Sequence, residues 1–310
     1  MNSDTRYIFS KGELFQKDFS IVFHKDDGNI YLPVKDTREL YCFNDVTLST
    51  KLLQLLAKAG IVVHFFGYYD NYIGTFYPKE KLLSGRLTVA QALNYDKNRM
   101  IIAKPIVKGI AENIYFIMYH YYRHGKNQLK DYLDWLHKDV VKLIDSVDDI
   151  KNLLRVEGEI WARFYRTFKE ILPEEFALNK RVKRPPDNPI NALISFGNSI
   201  LYTKTITEIY HTHLNQTISY LHEPAERRFS LSLDLSEVFK PILVYRTIFE
   251  CVNNRKITVD KHFDKRLNYA LLNDVGRKIF IEAFDGRINQ TFEHATLKRR
   301  TSYKQAIRLD

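Results

Sequence analysis

The hydrophobic periodicity of this chain changes near residue 80, and that change limits the folds available to it. Before residue 80, short runs rich in β-branched and aromatic residues alternate with turn signals, a pattern typical of strands. After Pro78, apolar residues recur at three- and four-residue steps over long stretches, which is typical of helices. We therefore predict an α+β protein with a β-sandwich-like domain at residues 1–80 and a larger all-α domain at residues 81–310.

The same patterns predict the individual elements. Strands are expected at residues 7–9, 20–23, 30–34, 61–66 and 72–77. Ser49 is a good amino-terminal cap and Gly60 a good stop, so the first domain should contain one helix through Lys58. In the second domain, helices are expected at residues 97–122, 129–147, 150–171, 192–214, 230–252 and 260–284.

Charge and cysteine content narrow the class of partner. The 310 residues carry a formal charge of +10, which favours an acidic partner, with nucleic acid first. The two cysteines, Cys42 and Cys251, cannot build a disulfide framework and indicate a reducing compartment. The first six residues hold no apolar signal core, and no apolar run is long enough to span a bilayer. We therefore expect a cytoplasmic DNA-binding protein that does not enter membranes.

A histidine and two acidic residues lie near each other in the last third of the chain. Asp234 and Glu237 are three residues apart, so a helix places both on one face, and His222 lies twelve residues ahead of Asp234. Apolar neighbours would bury this segment, and buried carboxylates need a partner. Oxygen ligands suit Mg²⁺, while a histidine ligand moves the preference toward Mn²⁺. The alternative from these residues alone is a pair of structural salt bridges to Arg227 or Arg228.

Four segments of the chain form a distinctive series. They are Glu157-Gly158 with Ala162 and Tyr165, then Arg184-Pro185-Pro186 with residues 188–198, then Leu221-His222-Glu223, then residues 230–241. In their order and in their residues, these segments resemble the CRISPR-associated endonuclease and integrase of spacer acquisition. The resemblance spans almost the whole chain, and four motifs in order are a far stronger signal than any one of them.

The resemblance implies which residues form the catalytic site. The metal ligands of that family fall on Glu157, His222 and Glu237, the last of which is aspartate in many members. Asp234 matches an acidic position of the catalytic set. A residue there either supports the metal ligands or binds the metal as an outer ligand. Tyr165 matches a site position, where it would pack beside the metal or touch DNA rather than act as a covalent nucleophile. Gly158 would allow another backbone or DNA to approach closely.

Further polar residues are candidate DNA contacts. One compact basic loop contains Lys180, Arg181, Lys183 and Arg184. We expect these side chains to hold phosphates, although a charge run is also common on ordinary solvated surface. Asn191 and Asn198 lie one heptad apart on roughly one face of the predicted helix and are candidate DNA contacts too. Helix capping or hydrogen bonding within the core is the alternative for both.

The function implied by the resemblance is that of a metal-dependent DNA endonuclease and integrase. With Mg²⁺ or Mn²⁺, it would insert short foreign duplexes into a CRISPR repeat array through attack by their 3′-hydroxyl groups. The resemblance also implies a homodimer formed by the first domain, with the aromatic edge at residues 68–73 as a candidate contact, and a small second adaptation protein that bridges two dimers. Two alternatives remain, a stand-alone metal-dependent nuclease or resolvase of branched DNA and a non-catalytic DNA-binding scaffold.

Overall fold

The computed structural model describes residues 4–183, 185–224, 229–264, 270–294 and 297–308. The chain divides into two compact units, residues 1–81 and 82–310. The first unit contains two β-sheets and one helix, and the described part of the second is helical apart from one short hairpin. The α+β class predicted from the periodicity is confirmed.

Each sheet of the first unit has four strands. In spatial order, one sheet contains β1 (Thr5–Ile8), β5 (Glu39–Cys42), β7 (Val62–Phe66) and β8 (Tyr72–Phe76). The other contains β4 (Gly28–Pro33), β3 (Ser20–Lys25), β2 (Gly12–Lys17) and β6 (Val46–Leu48). In the first sheet β1, β5 and β7 are parallel and β8 is antiparallel, whereas β2, β3 and β4 form an antiparallel meander with β6 parallel to β2.

One hydrophobic core joins the two sheets and the helix of this unit. Leu40 and Val63 from one sheet pack into the same cluster as Leu14 and Phe23 from the other, together with Leu52 of the helix. That helix, α1 (Thr50–Ala59), begins and ends as the sequence predicts. The Ser49 side chain accepts from the Leu52 amide, and Gly60 takes the left-handed conformation at φ 73°.

Twelve helices are described in the second unit. They are α2 (Gly85–Lys97), α3 (Arg99–Arg123), α4 (Lys130–Trp135), α5 (Val141–Ser146), α6 (Ile150–Arg166), α7 (Phe168–Ile171), α8 (Pro189–Tyr210), α9 (Ser230–Phe239), α10 (Arg246–Asn253), α11 (Val259–His262), α12 (Asp274–Ile288) and α13 (Tyr303–Ala306). A hairpin of β9 (Thr291–Glu293) and β10 (Arg300–Ser302) lies between the last two. Helix α8 is buried over most of its surface, and the buried residues include the charged Lys204 and Glu208. No helix in the described ranges is long and apolar enough to cross a membrane.

Several predicted helices differ from the structure. The segment expected as one helix at residues 129–147 consists of α4 and α5 joined by a π-helical stretch at residues 136–140, and that expected at residues 150–171 is divided into α6 and α7 at Thr167. The helix expected at residues 192–214 begins at Pro189 and ends at Tyr210.

The helix expected at residues 260–284 is wrong as one element, because α11 ends at His262 and α12 begins at Asp274. The Asn273 side chain caps α12 by accepting from the Gly276 amide. The helix expected at residues 230–252 is continuous but widens into a π-helical turn at residues 240–245. Pro241 lies in this turn and cannot donate the backbone hydrogen bond that a regular helix needs there.

The sequence analysis also missed several elements. Strands β2, β5, β6, β9 and β10 and helices α2 and α13 were not predicted. Strand β5 is buried at every residue, and β6 has only three residues, so neither shows the alternation that marks a half-buried strand.

Candidate active site

Glu157 lies on α6, which is an amphipathic helix. Asp149 caps the helix by accepting from the Asn152 amide at 2.8 Å, and Val156 and Ile160 are buried. This packing fixes the helix rotation, so that Glu157 is half-buried. The space beside the neighbouring Gly158 is open, with no atom within 4 Å of where a Cβ would lie. Within the described part of this chain, no other backbone segment therefore approaches Gly158 closely, and close approach of DNA or of another chain stays a prediction.

Asp234 organises the loop that carries His222. Its carboxylate is completely buried and accepts four hydrogen bonds. The donors are the amides of Tyr220 at 2.7 Å, Leu221 at 2.8 Å and His222 at 3.0 Å, and the Nδ1 of His222 at 2.8 Å. With Nδ1 donating to Asp234, the Nε2 lone pair of His222 is the one that can bind a ligand. Both oxygens of Asp234 are thus used within the protein, which supports a positioning role rather than that of a direct ligand.

Glu237 lies one turn further along α9 and has a cationic partner. Its side chain is 9% exposed and forms an ion pair with Lys240. The sequence analysis missed Lys240, although its i, i+3 spacing from Glu237 was a usable signal. The salt bridges to Arg227 or Arg228 that were the alternative reading fall on residues outside the described ranges.

Three ionisable groups lie close enough to perturb each other. Burial raises the pKa of Glu157 to about 7, and the charge of Glu237 adds to that rise, while His222 opposes it. Burial alone would lower the pKa of His222. The hydrogen bond and charge of Asp234, with the charges of Glu237 and Glu157, outweigh it and raise that pKa above its usual value. Glu157, His222 and Glu237 therefore lie close enough for their charges to influence one another.

The donor set of this group suits a divalent cation. Two carboxylates and one imidazole are ligand types that Mn²⁺ accepts well and Mg²⁺ accepts in part. Among the described residues, however, no three His, Cys, Asp or Glu side chains are gathered as a ready-made metal site. Lys240 instead supplies the positive charge beside Glu237. The residues fit a metal chemically, and a bound cation would have to replace Lys240 next to Glu237.

Tyr165 has its hydroxyl inside the protein. The hydroxyl hydrogen-bonds that of Tyr245 at 2.7 Å, and the ring packs against Trp161 and Phe168. Burial raises the pKa of Tyr165 to about 12, so the hydroxyl is a poor nucleophile. These contacts favour the packing role over a covalent one, and contact with DNA stays a prediction.

The basic loop is partly a structural element. Arg181 donates to Asn191 Oδ1 at 3.0 Å and to Ser195 Oγ at 2.9 Å. Asn191 is fully buried, accepts from the Val182 amide and donates to the Lys180 carbonyl. Arg181 and Asn191 therefore tie the loop to the start of α8, which is the hydrogen-bonding alternative of the sequence analysis.

The remaining candidate DNA contacts differ in their surroundings. Lys180 and Lys183 have exposed side chains. Arg184 lies outside the described residues. Asn198 is half-buried, and its Oδ1 atom has no hydrogen-bond partner in the described part of the chain. Phosphate contacts from Lys180, Lys183 and Arg184 stay a prediction.

Comparison with known proteins gives the same assignment along the whole chain. Residues 6–286 match the protein family described as CRISPR associated protein Cas1. The chain is 44% identical to CRISPR-associated protein Cas1 1 of Methanobrevibacter ruminantium, over 100% of this chain and 94% of that protein. It is 41% identical to CRISPR-associated endonuclease Cas1 2 of Thermodesulfovibrio yellowstonii, over 98% of this chain and 92% of that protein.

Solved structures show the same fold. A Cas1 protein from Thermotoga maritima superposes with a TM-score of 0.85 at 34% identity, over 98% of this chain and 94% of that one. A casposase bound to an integration product shares the fold at a TM-score of 0.81 and 17% identity, over 98% of this chain and 87% of that one. The family match, the full-length relatives and the four motifs agree, and the chain belongs to the Cas1 family of CRISPR-associated endonucleases.

Proposed function

We propose that this Cas1 chain is a metal-dependent endonuclease and integrase that inserts short foreign DNA into a CRISPR repeat array. The observation that carries the proposal is the buried Asp234 carboxylate, which fixes His222 with Nε2 available beside Glu157 and Glu237. A non-catalytic DNA-binding scaffold would need neither this group of interacting charges nor the four hydrogen bonds by which Asp234 holds the loop of His222.

Glu157, His222 and Glu237 would hold the metal, Mg²⁺ or Mn²⁺. When bound, a divalent cation supplies Lewis-acid stabilisation of negative charge on a reacting phosphate. The chain's own residues provide the rest. Asp234 keeps the imidazole in one tautomer and orientation, and the burial of Glu237 limits the water around it. Lys240 adds a positive charge that can face a phosphate once its partner Glu237 is engaged elsewhere.

Integration and hydrolysis differ in the nucleophile. In integration the 3′-oxygen of the foreign DNA attacks a repeat phosphorus and loses its proton. A new phosphodiester forms, and the repeat strand leaves through its own 3′-oxygen, which takes up a proton. Hydrolysis uses water in place of that hydroxyl. Since correct placement of the reacting groups can contribute several kcal/mol, the protein favours joining by positioning the DNA end.

We infer the partners from the family and its solved assemblies. One solved structure is described as a Cas6-RT-Cas1–Cas2 complex, and a part amounting to 34% of its chain shares this fold at a TM-score of 0.84 and 19% identity. We propose that this chain likewise works with a small second adaptation protein, as a homodimer in the cytoplasm, on foreign double-stranded fragments and on the repeat. The charge of +10 suits both DNA substrates.

The proposal is tested by strand joining. A labelled duplex, a repeat-bearing target, Mn²⁺ and the natural partner protein should yield donor DNA covalently attached to the target. A donor that lacks its 3′-hydroxyl should bind equally well and give no joined product. His222→Ala should abolish both joining and cleavage while the protein keeps its circular dichroism spectrum. Cleavage without any joined product would favour a stand-alone nuclease or resolvase of branched DNA instead.

A further inference from the structure

A cavity lies in the helical unit, between α10 and the carboxyl-terminal part of α3. Its volume is about 560 Å³, within the range of roughly 300–1,000 Å³ that small-ligand sites occupy. The residues that line it include Phe116, Tyr119, His120, Arg123, Arg246 and Arg287. It shares no lining residue with the candidate active site, and the mechanism described above does not use it.

The cavity carries an excess of positive charge. Its one lining carboxylate, Glu250, is paired with Arg287 and with Lys256. Arg123 and Arg246 form no ion pair with any carboxylate in the described ranges. The pKa of His120 is lowered, first by burial and then by His124 and Arg246. An anion in this cavity would therefore meet guanidinium groups that no acidic side chain neutralises.

Two solvent-exposed aromatic rings lie beside these charges. Phe116 is 57% exposed and Tyr119 is 41% exposed, which is unusual for large rings next to a cavity. The Arg246 guanidinium lies 6.0 Å from the centroid of the Phe116 ring. The Tyr119 ring is supported from its own helix by Tyr115, at a centroid distance of 5.7 Å and an angle of 12°. A planar ligand can thus stack at a site where an anionic group also finds a partner.

We propose that this cavity binds an unpaired nucleotide of single-stranded DNA. The base would stack on Phe116 and Tyr119, and the adjacent phosphates would pair with Arg246 and Arg123. Exposed aromatic rings combined with arginines are the common way in which proteins hold single strands without reading their sequence. A duplex does not fit this chemistry, because both faces of each internal base are already covered by its neighbours. An acidic peptide would satisfy the arginines but leave the open rings without a planar partner.

The test measures binding of a short fluorescein-labelled oligothymidylate by anisotropy in EDTA, so that the candidate metal site plays no part. Phe116→Ala should weaken binding by about five- to 100-fold with an unchanged dependence on salt. Arg246→Gln should weaken it and lower the slope of log affinity against log salt by about 0.7. Phe116→Trp should retain wild-type affinity. Ile101→Ala and Arg86→Gln are matched controls, because both side chains are exposed helical positions away from the cavity.

The outcomes separate this site from the active site. Glu157→Gln should bind the oligothymidylate as the wild type does, so loss of joining activity and loss of this site are independent results. A 2-aminopurine base in the oligonucleotide should be quenched by the wild type and by Arg86→Gln but not by Phe116→Ala. Equal affinities of Phe116→Ala, Arg246→Gln and the wild type would overturn the proposal. Binding of polyglutamate that these substitutions weaken, with no competition from oligothymidylate, would also overturn it, in favour of an acidic protein partner.

Discussion

At the scale of single residues, the chemistry of the site depends on how each polar group is satisfied. Asp234 is a fully buried carboxylate whose four donors include three consecutive backbone amides. Such a carboxylate holds the loop in one conformation, because each lost hydrogen bond would leave a buried polar group without a partner. Lys240 plays the matching role for Glu237, whose charge would otherwise be buried alone.

The first prediction concerns Asp234→Asn. The amide group of asparagine turns a donor toward backbone amides that need an acceptor, so we expect a loss of about 1–3 kcal/mol in the free energy of unfolding. His222 would also lose the negative charge of the group that orients it, and Mn²⁺ affinity should fall about 10- to 100-fold. Urea unfolding and a Mn²⁺ titration followed by electron paramagnetic resonance measure the two effects. Asp27→Asn, at an exposed ion pair with Lys25, is the control and should change neither.

The second prediction concerns the two thiols. Burial raises the pKa of Cys42 and of Cys251 to about 12. Since only the thiolate reacts readily, neither should be alkylated by iodoacetamide at pH 8 in the folded protein. Mass spectrometry should find both modified after unfolding in guanidinium. Rapid modification of either cysteine without denaturant would contradict the burial that raises these pKa values.

At the scale of elements, α6 and α9 carry the carboxylates of the site, and the loops that precede α8 and α9 are fixed by side-chain hydrogen bonds. Asn188 caps α8 by accepting from the Asn191 amide at 2.9 Å, and Asn191 in turn holds the preceding basic loop. On α9, the turn that follows Glu237 widens at Pro241. The helix thereby continues into α10, whose residues Arg246, Phe249 and Glu250 line the cavity beside α3.

The third prediction compares two asparagines of α8. Asn191→Ala removes an acceptor from Arg181 and from the Val182 amide and a donor from the Lys180 carbonyl, so the protein should lose about 1–3 kcal/mol of stability. Asn198→Ala is the matched control, because the Asn198 Oδ1 atom has no partner to lose in the described residues. Thermal unfolding should rank Asn191→Ala well below Asn198→Ala. Equal melting temperatures would show that the loop is not held by Asn191.

At the scale of the whole molecule, the net charge and the exposed edge of one β-sheet determine what the protein binds. The formal charge of +10 predicts DNA binding that depends steeply on salt. In the first unit, β8 forms an edge of its sheet and presents Ile73 at 65% exposure, near Tyr68 at 64%. An apolar edge strand of this kind is a natural place for a second copy of the chain to pair.

The fourth prediction concerns the basic loop. Changing Lys180 and Lys183 together to Gln should lower the slope of log affinity against log salt by up to about two units for duplex DNA, about one for each lost phosphate contact. Arg181 is left intact because it holds the loop. The double substitution of Lys51 and Lys58, exposed on α1, is the control for net charge. If both pairs reduce the slope equally, the loop is only one part of a diffuse basic surface.

The fifth prediction concerns the dimer. Ile73→Lys places a charge on the exposed β8 edge and should convert the protein from dimer to monomer at micromolar concentration in static light scattering. Phe19→Lys changes an apolar side chain that is 89% exposed on the turn between β2 and β3, and this variant should stay dimeric. A wild-type protein that scatters as a monomer would contradict the proposed assembly.

The sequence by itself determined the change from strands to helices near residue 80, the family and the chemical types of Glu157, His222 and Glu237. These features are local, because the period of the hydrophobic pattern and the residues of a motif depend only on residues that are close in sequence. The tertiary structure decided which side chains hydrogen-bond to each other and to the backbone. Asp234 reaches back 12 to 14 residues to the His222 loop, and Arg181 turns inward to a residue 14 positions away on α8. Such choices depend on which surfaces pack together, and no local pattern in the sequence encodes them.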